Sequence, residues 1–252
     1  MNENEIEIKK GISKNPNIPN EFINYIENAV KKNAQEHLLP AIKKDPKLFL
    51  EKTDNLFKKA SNITKLSPLE LLKKSDFCSQ NVKKGIIDGV FAELRTIIFL
   101  DSLGLYCITP LKKSNFKKRA DFTAKGNYHK YAIEVVCKIF KELVDNVCIE
   151  WKGKGDKLSS YYLGRMREND LRKKIQLDET ANEFSCDKKI IVLVLNDLDL
   201  KCTLSIEDCF YLLRDCISNK LNWGNDYHFA IAGINEFEVK TLYPIYPPII
   251  GL

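Results

Sequence analysis

The run KIIVLVLN, Lys189 to Asn196, constrains the fold more than any other stretch of the chain. Its interior is wholly β-branched or aliphatic, without the alternation of a strand that has one wet face, so it reads as a strand buried on both sides. Such a strand needs a layer on each face, and the surrounding segments supply helices, which points to an α/β domain with a central sheet. The same run and Thr96–Leu100 fall far short of the roughly 20 apolar residues that cross a bilayer. The opening MNENEIEIKK has no apolar signal-peptide core. No membrane partner is expected, and the expected location is cytoplasmic.

With 44% hydrophobic and 29% charged residues over 252 positions, the composition excludes a disordered tail or a fibrous repeat. Residues 1–82 hold helical patterns punctuated by Pro16, Pro19, Pro40, Pro46 and Pro68 and no strand pattern. Asn20 is placed as the N-cap of a helix with apolar residues at 22, 23, 26 and 30. Ser67-Pro-Leu-Glu70 carries the capping-box spacing with proline at the first helical position. The sequence therefore divides into a helical N-terminal region, 1–82, and an α/β core, 83–252.

In the second part, the spacing predicts a helix over Gly85–Leu103, closed by Gly104, and a strand over Leu105–Thr109. Arg119-Ala-Asp-Phe-Thr and His129–Ile139 read as two strands joined at Lys125-Gly126-Asn127 into a hairpin. A helix without a clean apolar stripe follows over residues 157–180, then the buried strand, a helix over Ser205–Asn219, a last core strand over Phe229–Ile234 and a proline-rich tail.

The net charge of +6 is unevenly placed. Lys112–Arg119 carries five basic residues and no acid, and Trp151–Lys174 carries eight basic residues against three acidic ones. Together they hold a surplus of ten positive charges, which leaves the remainder at net −4. A basic face meeting a polyanion accounts for this, as do solvated lysine-rich surfaces. Lys113, Arg119, Arg165, Arg167 and Lys173 are the residues expected along a nucleic-acid path. The eight cysteines contain no CxxC pair and read as reduced thiols. Gly153-Lys-Gly155 lacks the context of a phosphate loop, and His37, His129 and His228 suggest neither a triad nor a zinc site.

Chemistry concentrates in Glu93, Asp121, Glu134 and Lys138. Glu93 falls at the edge of the apolar stripe of its helix. Glu134 lies in the otherwise apolar Tyr131-Ala-Ile-Glu-Val-Val-Cys, where a buried carboxylate needs a cation, a proton or a metal. A hairpin centred between Gly126 and Asn127 sets Asp121 opposite Ala132 and on the same face as Glu134, whereas a one-residue slip separates the two carboxylates. Carboxylates grouped in this way are hard oxygen ligands suited to Mg²⁺.

Phe91-Ala-Glu93-Leu-Arg-Thr, Arg119-Ala-Asp121-Phe and Ile133-Glu134-Val-Val136-Cys-Lys138, in that order, resemble the first core helix and two motif strands of the PD-(D/E)XK nuclease superfamily. The resemblance spans roughly residues 85–200. It implies a restriction-endonuclease-like core, a mixed central sheet flanked by helices, with Asp121 and Glu134 as metal ligands and Glu93 as a further ligand or orienting group. The implied cofactor is Mg²⁺, with Mn²⁺ as a substitute, and the implied partner is DNA, with a homodimer left open. Two positions depart from the pattern: Ala120 stands in the proline's place and Val136 in the lysine's. Lys138 shares the strand face, with its Cα about 13 Å from that of Glu134 instead of about 6.6 Å at roughly 3.3 Å per residue.

The expected function is a Mg²⁺-dependent endodeoxyribonuclease. Asp121 and Glu134 bind the metal, Glu93 supports it and Lys138 faces the attacked phosphate. The rival, favoured by Val136, is a catalytically degenerate module of the same fold that binds nucleic acid or protein. A restriction or defence role is left open.

Overall fold

The structure is a computed structural model that describes residues 15–33, 38–75, 77, 86–111, 119–139, 173–196, 223–235 and 238–246. The chain divides into two compact units, Met1–Lys113 and Ser114–Leu252.

The described part of the first unit contains α1 (Asn20–Lys31), α2 (Leu39–Lys44), α3 (Pro46–Thr64), α4 (Pro68–Lys74), α5 (Ile86–Ser102) and the short strand β1 (Tyr106–Pro110). In α1, Phe22, Ile23, Tyr25, Ile26 and Ala29 form the buried stripe. Its N-cap is Pro19 rather than Asn20, which is the first helical residue, and no side chain caps it. Aromatic rings join the helices: Phe22 meets Phe57 edge-on at 5.7 Å, and Phe49 stacks on Phe91 at 5.6 Å. The caps of α3 and α4 are local and strong. Asp45 accepts a hydrogen bond from the Leu48 amide at 2.9 Å, and Ser67 with Glu70 forms the full capping box. Gly104, at φ +81°, ends α5: its amide donates to the Asp101 carbonyl at 2.9 Å while that of Leu105 donates to the Leu100 carbonyl at 3.1 Å. That paired closure needs the left-handed backbone glycine adopts without strain.

The second unit is mixed α/β. Strands β2 (Phe122–Lys125), β3 (Lys130–Ile139), β4 (Lys188–Asn196), β5 (Tyr227–Asn235) and β6 (Glu238–Tyr246) lie side by side in sequence order, with helix α6 over residues 173–184. β2–β3 and β5–β6 are antiparallel, while β3–β4 and β4–β5 are parallel. The KIIVLVLN strand is β4, flanked on both edges, with Ile190, Val192 and Val194 buried on one face and Ile191 on the other. Leu177 and Ala181 of α6 pack on Ala120, Ala132, Ile191 and Tyr227.

Two further expectations need correction. The stretch after β5, expected as a tail, contains β6, which closes one edge of the sheet. Pro244 hid it: a proline lacks the ladder donor and is tolerated on an edge strand. The hairpin also turns one residue later than expected. The Gly126 amide donates to the His129 carbonyl at 2.9 Å and Thr123 pairs with Ala132, so Asp121 does not face Ala132. The expected helix over Ser205–Asn219 lies outside the described residues.

Candidate functional site

The β2–β3 register decides the site. Phe122 pairs with Ile133 and Thr123 with Ala132. Asp121 immediately precedes β2, one residue before the Phe122–Ile133 pair, and Glu134 is the residue after Ile133 on β3, so the two carboxylate-bearing residues are neighbours across the start of the hairpin. The shift from the expected register is two residues.

Both carboxylates are buried. Asp121 is 3% exposed and Glu134 is fully enclosed. The Val135 amide, next in chain to Glu134, donates to Asp121 Oδ2 at 2.6 Å and ties the Asp121 carboxylate to the β3 backbone. Asp121 thus stands at the mouth of β2, fixed by the neighbouring strand.

The cation at Glu134 comes from α6. Lys173 Nζ donates to Glu134 Oε1 across 39 residues of sequence. Lys173 keeps 28% of its side-chain surface in water while the Glu134 side chain keeps 1%, so the lysine reaches inward from a wet rim. A buried carboxylate without compensation costs several kcal/mol, which is why an ammonium is held here.

Two further α6 side chains fasten the segment leading to Asp121. The Ala120 amide donates to Thr180 Oγ1 at 2.8 Å, and Gln176 Nε2 donates to the Arg119 carbonyl at 3.1 Å. Lys173, Gln176, Leu177, Thr180 and Ala181 recur at helical spacing, so the inward face of α6 is half polar. That explains the missing apolar stripe over residues 173–180; residues 157–172 of the expected helix lie outside the described residues, and the helix runs on to residue 184. Sequence reading missed Gln176 and Thr180 and placed Lys173 only on a nucleic-acid path.

Glu93 is half-buried on α5 of the first unit. Val136 packs against the apolar cluster of α6 and β4. Lys138 belongs to β3, paired in register with Leu195, and its side chain lies outside the described residues, as do Lys113, Arg165 and Arg167. Arg119 forms a two-bonded ion pair with Glu183, one bond being Nε to Oε2 at 2.9 Å, and its guanidinium stands 5.7 Å from the Phe184 ring centre.

A second polar cluster braces α6 against the starts of β4 and β5. Lys189 Nζ lies 2.9 Å from Asp178 and 2.5 Å from Asp226, and the Tyr227 hydroxyl donates to Asp178. Lys174 and Lys189 approach the Tyr227 ring at 4.9 and 4.5 Å. Burial alone would raise the Asp178 carboxyl, but hydrogen bonds from Lys189, Tyr227 and Lys174 outweigh it and hold the group at about 2. The same network, against the pull of burial, raises Lys189. Burial first, then the bond to Asp178, raises the Tyr227 hydroxyl.

Among the described residues no group of three or more His, Cys, Asp or Glu side chains gathers into a metal cage. Asp121 and Glu134 alone supply two hard carboxylates. That donor set suits Mg²⁺, which keeps several waters and commonly binds through one or two carboxylates and a substrate phosphate. Comparisons of the chain with protein-family models, curated proteins and solved structures find no match.

Proposed function

We propose that residues 83–252 hold a restriction-endonuclease-like nuclease core and that the chain is a metal-dependent endodeoxyribonuclease. The observation that carries this reading is that two buried carboxylates, Asp121 and Glu134, lie at the start of the β2–β3 hairpin, with Asp121 bonded to the amide next in chain to Glu134. Asp121 and Glu134 would hold Mg²⁺ or Mn²⁺. When bound, such an ion supplies a lowered water pKa and stabilises charge on a phosphoryl group.

The chain's own groups do the rest. The Val135 amide keeps Asp121 oriented, and Thr180 and Gln176 fix the backbone that carries it. Lys173 brings a positive charge to Glu134, where a scissile phosphate would need one. The basic segments Lys112–Arg119 and Trp151–Lys174 supply the charge that attracts a polyanionic strand.

The test is incubation of the purified protein with plasmid and short duplex DNA in Mg²⁺ or Mn²⁺ and in EDTA, alongside an Asp121→Ala, Glu134→Ala double variant. Metal-dependent cleavage that the double variant loses is the expected result. One observation favours a second reading, a binding module of the same fold that has lost catalysis: Val136 fills the lysine position with a half-buried apolar side chain packed against the α6 cluster. Salt-sensitive DNA binding without cleavage of any substrate would establish that module and overturn the nuclease.

A further inference from the structure

Lys173 does not run along the strand that bears Glu134. It enters from α6, takes Glu134 Oε1 directly, and retains 28% of its side-chain surface in water. Such a side chain can withdraw to solvent with its own charge hydrated once another cation takes its place, because its stem already spans the distance from the rim to the carboxylate. Glu134, fully enclosed, has no such freedom. It needs positive charge in either state of the site, and a divalent ion ligated by Glu134 would lie within a few ångströms of the bonded ammonium. Two cations that close repel strongly in a partly dry site. The ammonium and the divalent ion are therefore alternatives at one carboxylate.

We infer that Lys173 is a tethered occupant of the divalent-cation site, an ammonium that neutralises Glu134 until a metal ion displaces it. Rotation of the lysine stem then turns its charge from Glu134 toward the rim, where a phosphate oxygen of the substrate would meet it. A strand lysine two residues from Glu134 would remain beside the bound metal, whereas a helix lysine can leave. This inference rests on the metal-site part of the nuclease reading and is independent of whether DNA is cut.

The experiment is Mn²⁺ binding without DNA, read from the electron paramagnetic resonance signal of free Mn²⁺. The proteins are the wild type, Lys173→Met, Glu134→Gln and the control Lys174→Met, whose lysine pairs with Asp178 instead. Loss of the competing charge should tighten Mn²⁺ binding about tenfold or more in Lys173→Met, an increment well within one nearby charge at intermediate dielectric. Lys174→Met should match the wild type and Glu134→Gln should bind weakly. In parallel, wild-type protein is treated with an amine-acetylating ester, and the Lys173-to-Lys174 labelling ratio is read by mass spectrometry. Mn²⁺ should raise that ratio several-fold as the ammonium leaves Glu134. Should Lys173→Met fail to fold, the labelling ratio decides alone. Unchanged or weaker Mn²⁺ binding by folded Lys173→Met, or a labelling ratio that saturating Mn²⁺ leaves unmoved, overturns the inference. If DNA stays intact while these binding results appear, the nuclease reading alone falls.

Discussion

Replacing Lys173 with methionine keeps most of the aliphatic stem and removes the ammonium. The consequence for stability follows from where its partner sits. Glu134 is fully enclosed on the α6 face of the sheet, beside the cluster formed by Ala132, Leu177 and Ile191. Breaking a buried ion pair by removing one partner costs about 3–5 kcal/mol, because the remaining charge is stranded. Lys173 is 28% exposed, so water can follow into the vacated space and the lower end, about 3 kcal/mol, is expected. For a chain of this size that loss lowers Tm by about 6–12 °C, at roughly 2–4 °C per kcal/mol. Glu134→Gln should cost less, about 1–2 kcal/mol, since the freed ammonium can turn to solvent. The double variant should be more stable than the sum of the two losses implies, with a coupling of about 2 kcal/mol. Urea denaturation of all four proteins at pH 7 in EDTA measures each value. Additive losses, or a Lys173→Met protein within about 0.5 kcal/mol of wild type, the spread of ordinary surface substitutions, would refute the reasoning.

Three more outcomes follow from particular contacts. Thr180→Val keeps the shape but leaves the buried Ala120 amide without its acceptor, and should cost about 1–3 kcal/mol by urea denaturation while weakening Mn²⁺ binding through Asp121. Asp178, held at about 2, contributes stability that is complete above the unfolded carboxyl value and is lost as pH falls through about 2. Because its side chain is 35% exposed, the screened contribution is about 1 kcal/mol, and Asp178→Asn should flatten that part of the urea-midpoint profile between pH 4 and 2. Ser67→Ala removes the cap of α4 and should destabilise by about 1 kcal/mol, with Mn²⁺ binding unchanged.

Local rules were easy to read in this sequence, and long-range ones were not. The buried strand β4, the capping box at Ser67 and the glycine that ends α5 each rest on a few adjacent residues, and each stands in the structure as expected. The hairpin was legible to within its turn: the sequence marks Gly126-Asn127, but closure between Gly126 and His129 is set by strand pairing. Asp121 itself lies just outside the paired residues of β2 and is tied to β3 through the Val135 amide, a long-range bond that hairpin spacing alone does not reveal. α6 was blurred because its inward face carries Lys173, Gln176 and Thr180, polar residues satisfied by β3 and by the segment before β2. The demand for a cation at Glu134 was visible in its apolar strand. Its source was not, because 39 residues separate the partners and nothing local distinguishes Lys173 from the basic residues around it.

The claim at the centre is that Asp121 and Glu134 form a divalent-cation site. Anomalous scattering from Mn²⁺ soaked into crystals grown without divalent cations tests it directly. The expected result is a Mn²⁺ peak bridging the two carboxylates, with the Lys173 ammonium withdrawn from Glu134. Crystals whose Lys173 remains on Glu134, with no Mn²⁺ at the pair under saturating soaks, would contradict it.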